Sequence, residues 1–340
     1  MSTVSSTPSS RTFNGPDLAA AVRRTQLVTL GEAMLRLSVG PGDRLEDAPA
    51  FDVHVAGTEA NVAFAAARVG LRSAWVSSLP ANPLGRRVAA TLAAGGVDVS
   101  HVHWVEAGRL GLYFVELGAA PRPISVIYDR AGSAIAQATP DHFDWEAIAD
   151  TNFLHLSGIT LGLSASCYEI GVRAMEEARR RGATVTFDVN YRQRLWTPQA
   201  AADAARSVAH LVDVLVCTAE DARDLFGADG TPEDALAILS ADLGVKTAVL
   251  TLGAEGAIAS HTGEVISRPG HLVEVIDRVG AGDSFAAGLI WGLLDRSIGL
   301  GLERGLAMSA LKMTVHGDLF RLDAGDVIGL LARDRREVGR

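Results

Sequence analysis

The chain has 340 residues, 48% of them hydrophobic, with 35 glycines and a net charge of −9 at neutral pH. That length holds one large α/β domain or two smaller ones, and the apolar share suffices for a substantial core. The acidic balance argues against nucleic acid or an anionic membrane as the main partner, and no apolar run reaches membrane-spanning length.

Residues 1–24 open with MSTVSSTPSSRT, polar and without an apolar signal core, so a disordered tail is expected there. A buried strand is predicted at 27–31, and a helical stripe over 60–69 stops at Gly70. A strand at 74–76 and a helix over 84–94, stopped by Gly95 and Gly96, come next. Further strands read at 153–156, 184–187, 214–216 and 248–250, separated by helices around 166–181, 200–210, 219–226 and 232–241. Such alternation predicts a mostly parallel sheet covered on both faces. Two regions, about 36–57 and 101–130, read instead as successive strands without helices and predict a small β lid. With no internal repeat or linker inside 25–335, one domain is expected. The only cysteines, Cys167 and Cys217, are far apart and lack metal-ligand spacing, which fits a reduced, cytoplasmic setting.

The most informative segment is Val275-Ile-Asp-Arg-Val-Gly-Ala-Gly-Asp-Ser-Phe-Ala-Ala-Gly288. It places Gly280, Ala281, Gly282 and Asp283 where a strand-like run gives way to a helical pattern. Unpaired N–H groups at a helix start suit an anionic group. An aspartate beside them can take a proton from an attacking hydroxyl while the amides hold phosphoryl oxygens. Other nucleotide sites fail: neither lysine, Lys246 or Lys312, follows a glycine as a P-loop requires, and Phe285 stands where a dinucleotide fingerprint needs glycine.

The Gly280–Asp283 segment resembles the GAGD signature of the ribokinase-like (PfkB) sugar kinases, and the resemblance extends over roughly residues 26–332. It implies a ribokinase-like three-layer α/β/α sandwich with a mostly parallel central sheet and a small β-sheet lid. Gly57-Thr-Glu-Ala-Asn61-Val-Ala63 resembles the block that closes on the sugar, with Gly57 and Asn61 as contacts. Thr251, Gly253 and Gly256 match a segment near the nucleotide, although a strand-to-hairpin turn would read the same way. One block departs from the family: Thr218-Ala-Glu220-Asp221 replaces Asn-x-x-Glu. Thr218 and Asp221 are then expected at the nucleotide, with Asp221 or neighbouring Glu220 near Mg²⁺, in Asp221's case through water. ATP and Mg²⁺ are the cofactors so implied.

Three segments are closer to the 2-keto-3-deoxygluconate kinases of that family: 111–116, 126–134 and 187–196. The resemblance places Gly57, Tyr113, Tyr128, Arg130 and Arg192 around a sugar acid. A guanidinium suits its carboxylate, and a neutral sugar would leave a buried arginine without an anion. Arg192 could equally meet the transferring phosphate, or pair with Asp188 or Glu220. The reaction expected is ATP-dependent phosphorylation at the C6 hydroxyl, with Asp283 as base. Open alternatives are a fructokinase, ribokinase or 5-keto-2-deoxygluconate kinase, or a non-catalytic sugar-acid sensor. Exposed lid strands make a homo-oligomer through the lid the expected assembly.

Overall fold

A computed structural model describes residues 25–40, 42–118 and 121–338, side chains of 334–338 excepted. The expected tail, 1–24, lies outside the described residues. The strands in chain order are β1 (Thr25–Leu30), β2 (Met34–Ser38), β3 (Asp52–Ala56), β4 (Ser73–Pro80), β5 (Val102–Val105), β6 (Gly111–Glu116) and β7 (Ser125–Asp129). After them come β8 (Thr151–Ser157), β9 (Thr184–Asp188), β10 (Val214–Thr218), β11 (Thr247–Thr251), β12 (Ala257–His261) and β13 (Glu264–Arg268).

Nine strands form one sheet in the order β13-β12-β11-β10-β9-β8-β1-β4-β5. Its pairs are parallel from β11 to β5, and an antiparallel hairpin, β12–β13, extends one edge. Alternate residues of each strand feed opposite layers, as period-two geometry requires when both faces are covered. Leu215 and Cys217 of β10 join the core under the helices Ala165–Arg180, Pro198–Val208, Ala219–Phe226 and Pro232–Leu243. Val214 and Val216 join the opposite core, under Thr58–Arg68, Ala281–Leu294 and Ile298–Lys312. Local sequence sets many helix ends: Asn82, Ser164, Thr197 and Thr231 accept N–H groups from the first turn, and left-handed Gly227 and Gly244 close two helices.

The second sheet has four strands, in the order β3-β2-β6-β7. The expectation that the whole of 101–130 joins it needs correction. Val102–Val105 pairs parallel with β4, Ser77 opposite Val102, and forms the edge of the large sheet. Val102 is buried with Trp75 and Leu79, so its apolar side belongs to the main core. Only 111–116 and 125–129 reach the small sheet from that region. One row of this sheet runs across all four strands: His54, Arg36, Tyr113 and Tyr128 are successive register partners.

Candidate active site

The two sheets meet over a cavity of about 350 Å³. Gly57, Asn61, Tyr113, Tyr128, Arg130, Arg192, Thr218, Asp221, Thr251, Gly280, Gly282 and Asp283 all line it. Ala281, Gly253 and Gly256 do not.

The floor begins at Gly280, which precedes the helix Ala281–Leu294 in a left-handed conformation (φ 84°). A Cβ there would sit 2.2 Å from the Asp318 carbonyl oxygen, so only glycine permits both the turn and the approach. The amides of Gly280, Gly282 and Asp283 have no protein acceptor among the described residues. The Ala281 amide instead donates to the Arg278 carbonyl at 3.3 Å, so three of the four amides of this segment are left open. Asp283 is buried, and its Oδ2 accepts a 2.6 Å hydrogen bond from Asn61 Nδ2. Burial raises its pKa to about 6 against the opposing pull of Asn61 and Arg192. Asn61 therefore holds the aspartate with its amide nitrogen, while its Oδ1 is left without a partner.

Beneath the floor lies an ionic cluster that carried no assigned role in the sequence. Arg36, 1% exposed, lies 2.8 Å from Asp277 and 2.9 Å from Asp318. Tyr113 donates its hydroxyl to Asp318, so that hydroxyl is committed to protein. Asp277 also accepts from the Gly317 amide, at 3.1 Å, and from Val279, at 3.1 Å. Lys312 is fully buried and donates to the carbonyls of Asp277 (3.2 Å) and Val315 (3.3 Å). The small sheet is thus tied through Arg36 and Tyr113 to the two loops that shape the helix start. A lone charge within an apolar run, as in Met34-Leu35-Arg36-Leu37 or Ala310-Leu311-Lys312-Met313, was the available signal.

The opposite wall stacks Tyr113 on Tyr128, with ring centroids 5.7 Å apart, and the Arg130 guanidinium over Tyr128 at 5.6 Å. Arg130 is already paired: Glu32 Oε2 accepts from its Nε at 2.8 Å and lies 2.5 Å from Nη2. The expectation that Arg130 lacks an anion until a sugar acid arrives is therefore corrected. Arg192 differs. It is exposed, donates only to the Tyr191 carbonyl (3.2 Å), and forms no ion pair with Asp188 or Glu220 among the described residues. Its positive charge nonetheless favours the ionised forms of Asp188, Asp221 and Asp283.

On the far side, Thr218 and Thr251 are register partners at the ends of β10 and β11. The Thr218 hydroxyl caps the next helix by accepting from the Asp221 amide at 2.9 Å. Asp221 Oδ2 accepts weakly from the Tyr191 amide (3.3 Å), and burial raises the Asp221 pKa. Asp188, buried beside these carboxylates, has its pKa raised to about 7 by desolvation and then by Asp283 and Asp221. No cluster of three or more His, Cys, Asp or Glu able to hold a metal occurs among the described residues.

An α/β/α sandwich with a covering sheet, and an aspartate at an open helix start between them, is the architecture of a sugar kinase. The pattern of the pfkB family carbohydrate kinases matches residues 24–323, and the chain belongs to that family. A 2-dehydro-3-deoxygalactonokinase of Haloferax volcanii is 41% identical over 295 residues, covering 86% of this chain and 92% of the relative. A 2-dehydro-3-deoxygluconokinase of Thermoproteus tenax is 37% identical over 299 residues, with 86% and 89% covered. The crystal structure of 2-dehydro-3-deoxygluconokinase from Thermotoga maritima superposes with a TM-score of 0.84 at 36% identity, covering 91% of this chain and 98% of that one. No helix among the described residues is long and apolar enough to cross a membrane.

Proposed function

We propose that the protein transfers the γ-phosphoryl group of ATP to the C6 hydroxyl of 2-keto-3-deoxygluconate, giving 2-keto-3-deoxy-6-phosphogluconate. The observation that carries this reading is Asp283, held by Asn61 at an open helix start inside a cavity that also carries unpaired Arg192. A carboxylate with a pKa of about 6 is ionised near neutral pH yet basic enough to receive the hydroxyl proton in the transition state. As the C6 oxygen attacks, the amides of Gly280, Gly282 and Asp283 hold the phosphoryl oxygens, where preorganised N–H dipoles act most strongly. Thr218 and Thr251 mark the nucleotide side, with Gly253 and Gly256 on the turn beyond. Asp221 suits Mg²⁺, through water or through the oxygen not engaged by Tyr191, because this ion keeps most of its positions for water and phosphate. Mg²⁺ would neutralise charge on the phosphates.

Arg192 supplies the cation for the substrate carboxylate, while Tyr113 and Tyr128 lie along the carbon skeleton. Covering of the site by the small sheet excludes water and limits futile ATP hydrolysis. A second reading, the C4 epimer 2-keto-3-deoxygalactonate, is favoured by the name of the 41% identical relative. ADP release from Mg·ATP, measured with both keto acids, fructose and ribose, tests the assignment. Turnover on the keto acids alone is expected, and the kcat/KM ratio of the two epimers decides between them. Preference for fructose or ribose would overturn the sugar-acid reading, and binding without ADP release would point to a sensor.

A further inference from the structure

Glu32 stands just after β1, where the chain crosses from the large sheet to the small one, and its side chain is 2% exposed in the cavity wall. Its two carboxylate oxygens have different environments. Oε2 takes two N–H groups of Arg130, whereas Oε1 is buried without any hydrogen-bond partner. An unsatisfied buried acceptor is costly, and a carboxylate oxygen accepts only from a donor. Asn61 Oδ1 and Asn190 Oδ1, both in the same cavity, are unpartnered acceptors as well. A ligand rich in hydroxyl groups matches such a set.

We propose that Glu32 is a specificity-determining residue that accepts an interior hydroxyl of the substrate through Oε1 while Oε2 fixes Arg130. The identity of that hydroxyl rests on the function proposed above. In the keto acid the carboxylate and ketone offer only acceptors, and the C6 hydroxyl belongs to Asp283. The donors left for Glu32 are the hydroxyls on C4 and C5. Glu32 and Arg130 together form a neutral pair, so they read hydroxyl and carbonyl groups rather than net charge, and the net cation for the acid is Arg192.

Initial-rate kinetics on Glu32→Gln, Arg130→Met and the double variant, with 2-keto-3-deoxygluconate and ATP, test the proposal as a double-mutant cycle. Loss of a charge-assisted hydrogen bond predicts that Glu32→Gln raises KM for the keto acid about 10- to 100-fold, with KM for ATP changed less than about twofold. The discriminating arm is the Arg130→Met background, where Glu32→Gln should still raise that KM by about fivefold or more. A change under about twofold there would reduce Glu32 to a counter-ion of Arg130 and overturn the proposal. Should Glu32→Gln not fold, Glu32→Asp, which keeps the charge and shortens the reach, gives the same comparison. A wild-type enzyme inactive on the keto acids but active on a neutral sugar would sink the substrate assignment alone. The same cycle on that sugar would then decide Glu32.

Discussion

The floor and the wall of this cavity are built in opposite ways. The floor is one contiguous stretch, from Gly280 to Asp283, in which backbone conformation presents amides and a carboxylate at a helix start. The wall gathers Glu32, Tyr113, Tyr128, Arg130 and Arg192 from four separate places in the chain, and its chemistry depends on which charges meet. A site made of consecutive backbone atoms is fixed by local geometry. A site made of paired side chains depends on packing between distant segments.

The sharpest way to break the floor is Asp283→Asn. Without the base, kcat should fall by about 10² to 10⁴-fold. Calorimetric affinity for the keto acid should change only a few-fold, because the isosteric amide keeps its place beside Asn61. Turnover within a few-fold of wild type would remove Asp283 from the chemistry. In the unmodified enzyme the same group should bend the pH profile. Because burial raises its pKa to about 6, kcat/KM should fall about tenfold per pH unit below that point as the base becomes protonated.

Lys312→Met asks whether the floor is self-supporting. Its ammonium clips the carbonyls of Asp277 and Val315, so its loss should let the helix start shift and lower kcat/KM by up to about a hundredfold. Activity within about twofold of wild type would show that the glycine turn holds the amides unaided. On the wall, Arg192→Gln should raise KM for the keto acid about tenfold while leaving kcat largely intact. A fall in kcat with KM unchanged would move Arg192 to the transferring phosphate.

The smallest effect concerns stability. Burial raises the Glu59 pKa to about 7, although Oε1 accepts from the Ser157 amide, the Ser157 hydroxyl and Thr160. Because the folded pKa lies above the unfolded one, this group's stabilisation is complete below the unfolded pKa and is lost as pH rises through about 7. The melting temperature of Glu59→Gln relative to wild type should therefore be more favourable at pH 8 than at pH 5. An identical difference at the two pH values would contradict the assigned direction.

Much of this is legible in the sequence alone. The alternation of strands and helices marked the parallel sheet because hydrophobic period is local, and most helix ends carry their own caps. Val102–Val105 shows the limit: a short strand carries no label for the sheet it joins, and only pairing with β4 assigned it. Asn61 and Asp283 were each visible, but not that one grips the other across 222 residues.

The sequence by itself therefore determined the class of fold, the family and the helix-start motif, because each is written in consecutive residues and their periodicity. Tertiary structure decided the charge pairings. Glu32 neutralises Arg130, Asp318 and Asp277 hold Arg36, and Arg192 alone among these arginines has no anion among the described residues. Electrostatic partnership falls steeply with distance and dielectric, so it is set by where the chain brings each group rather than by what the group is.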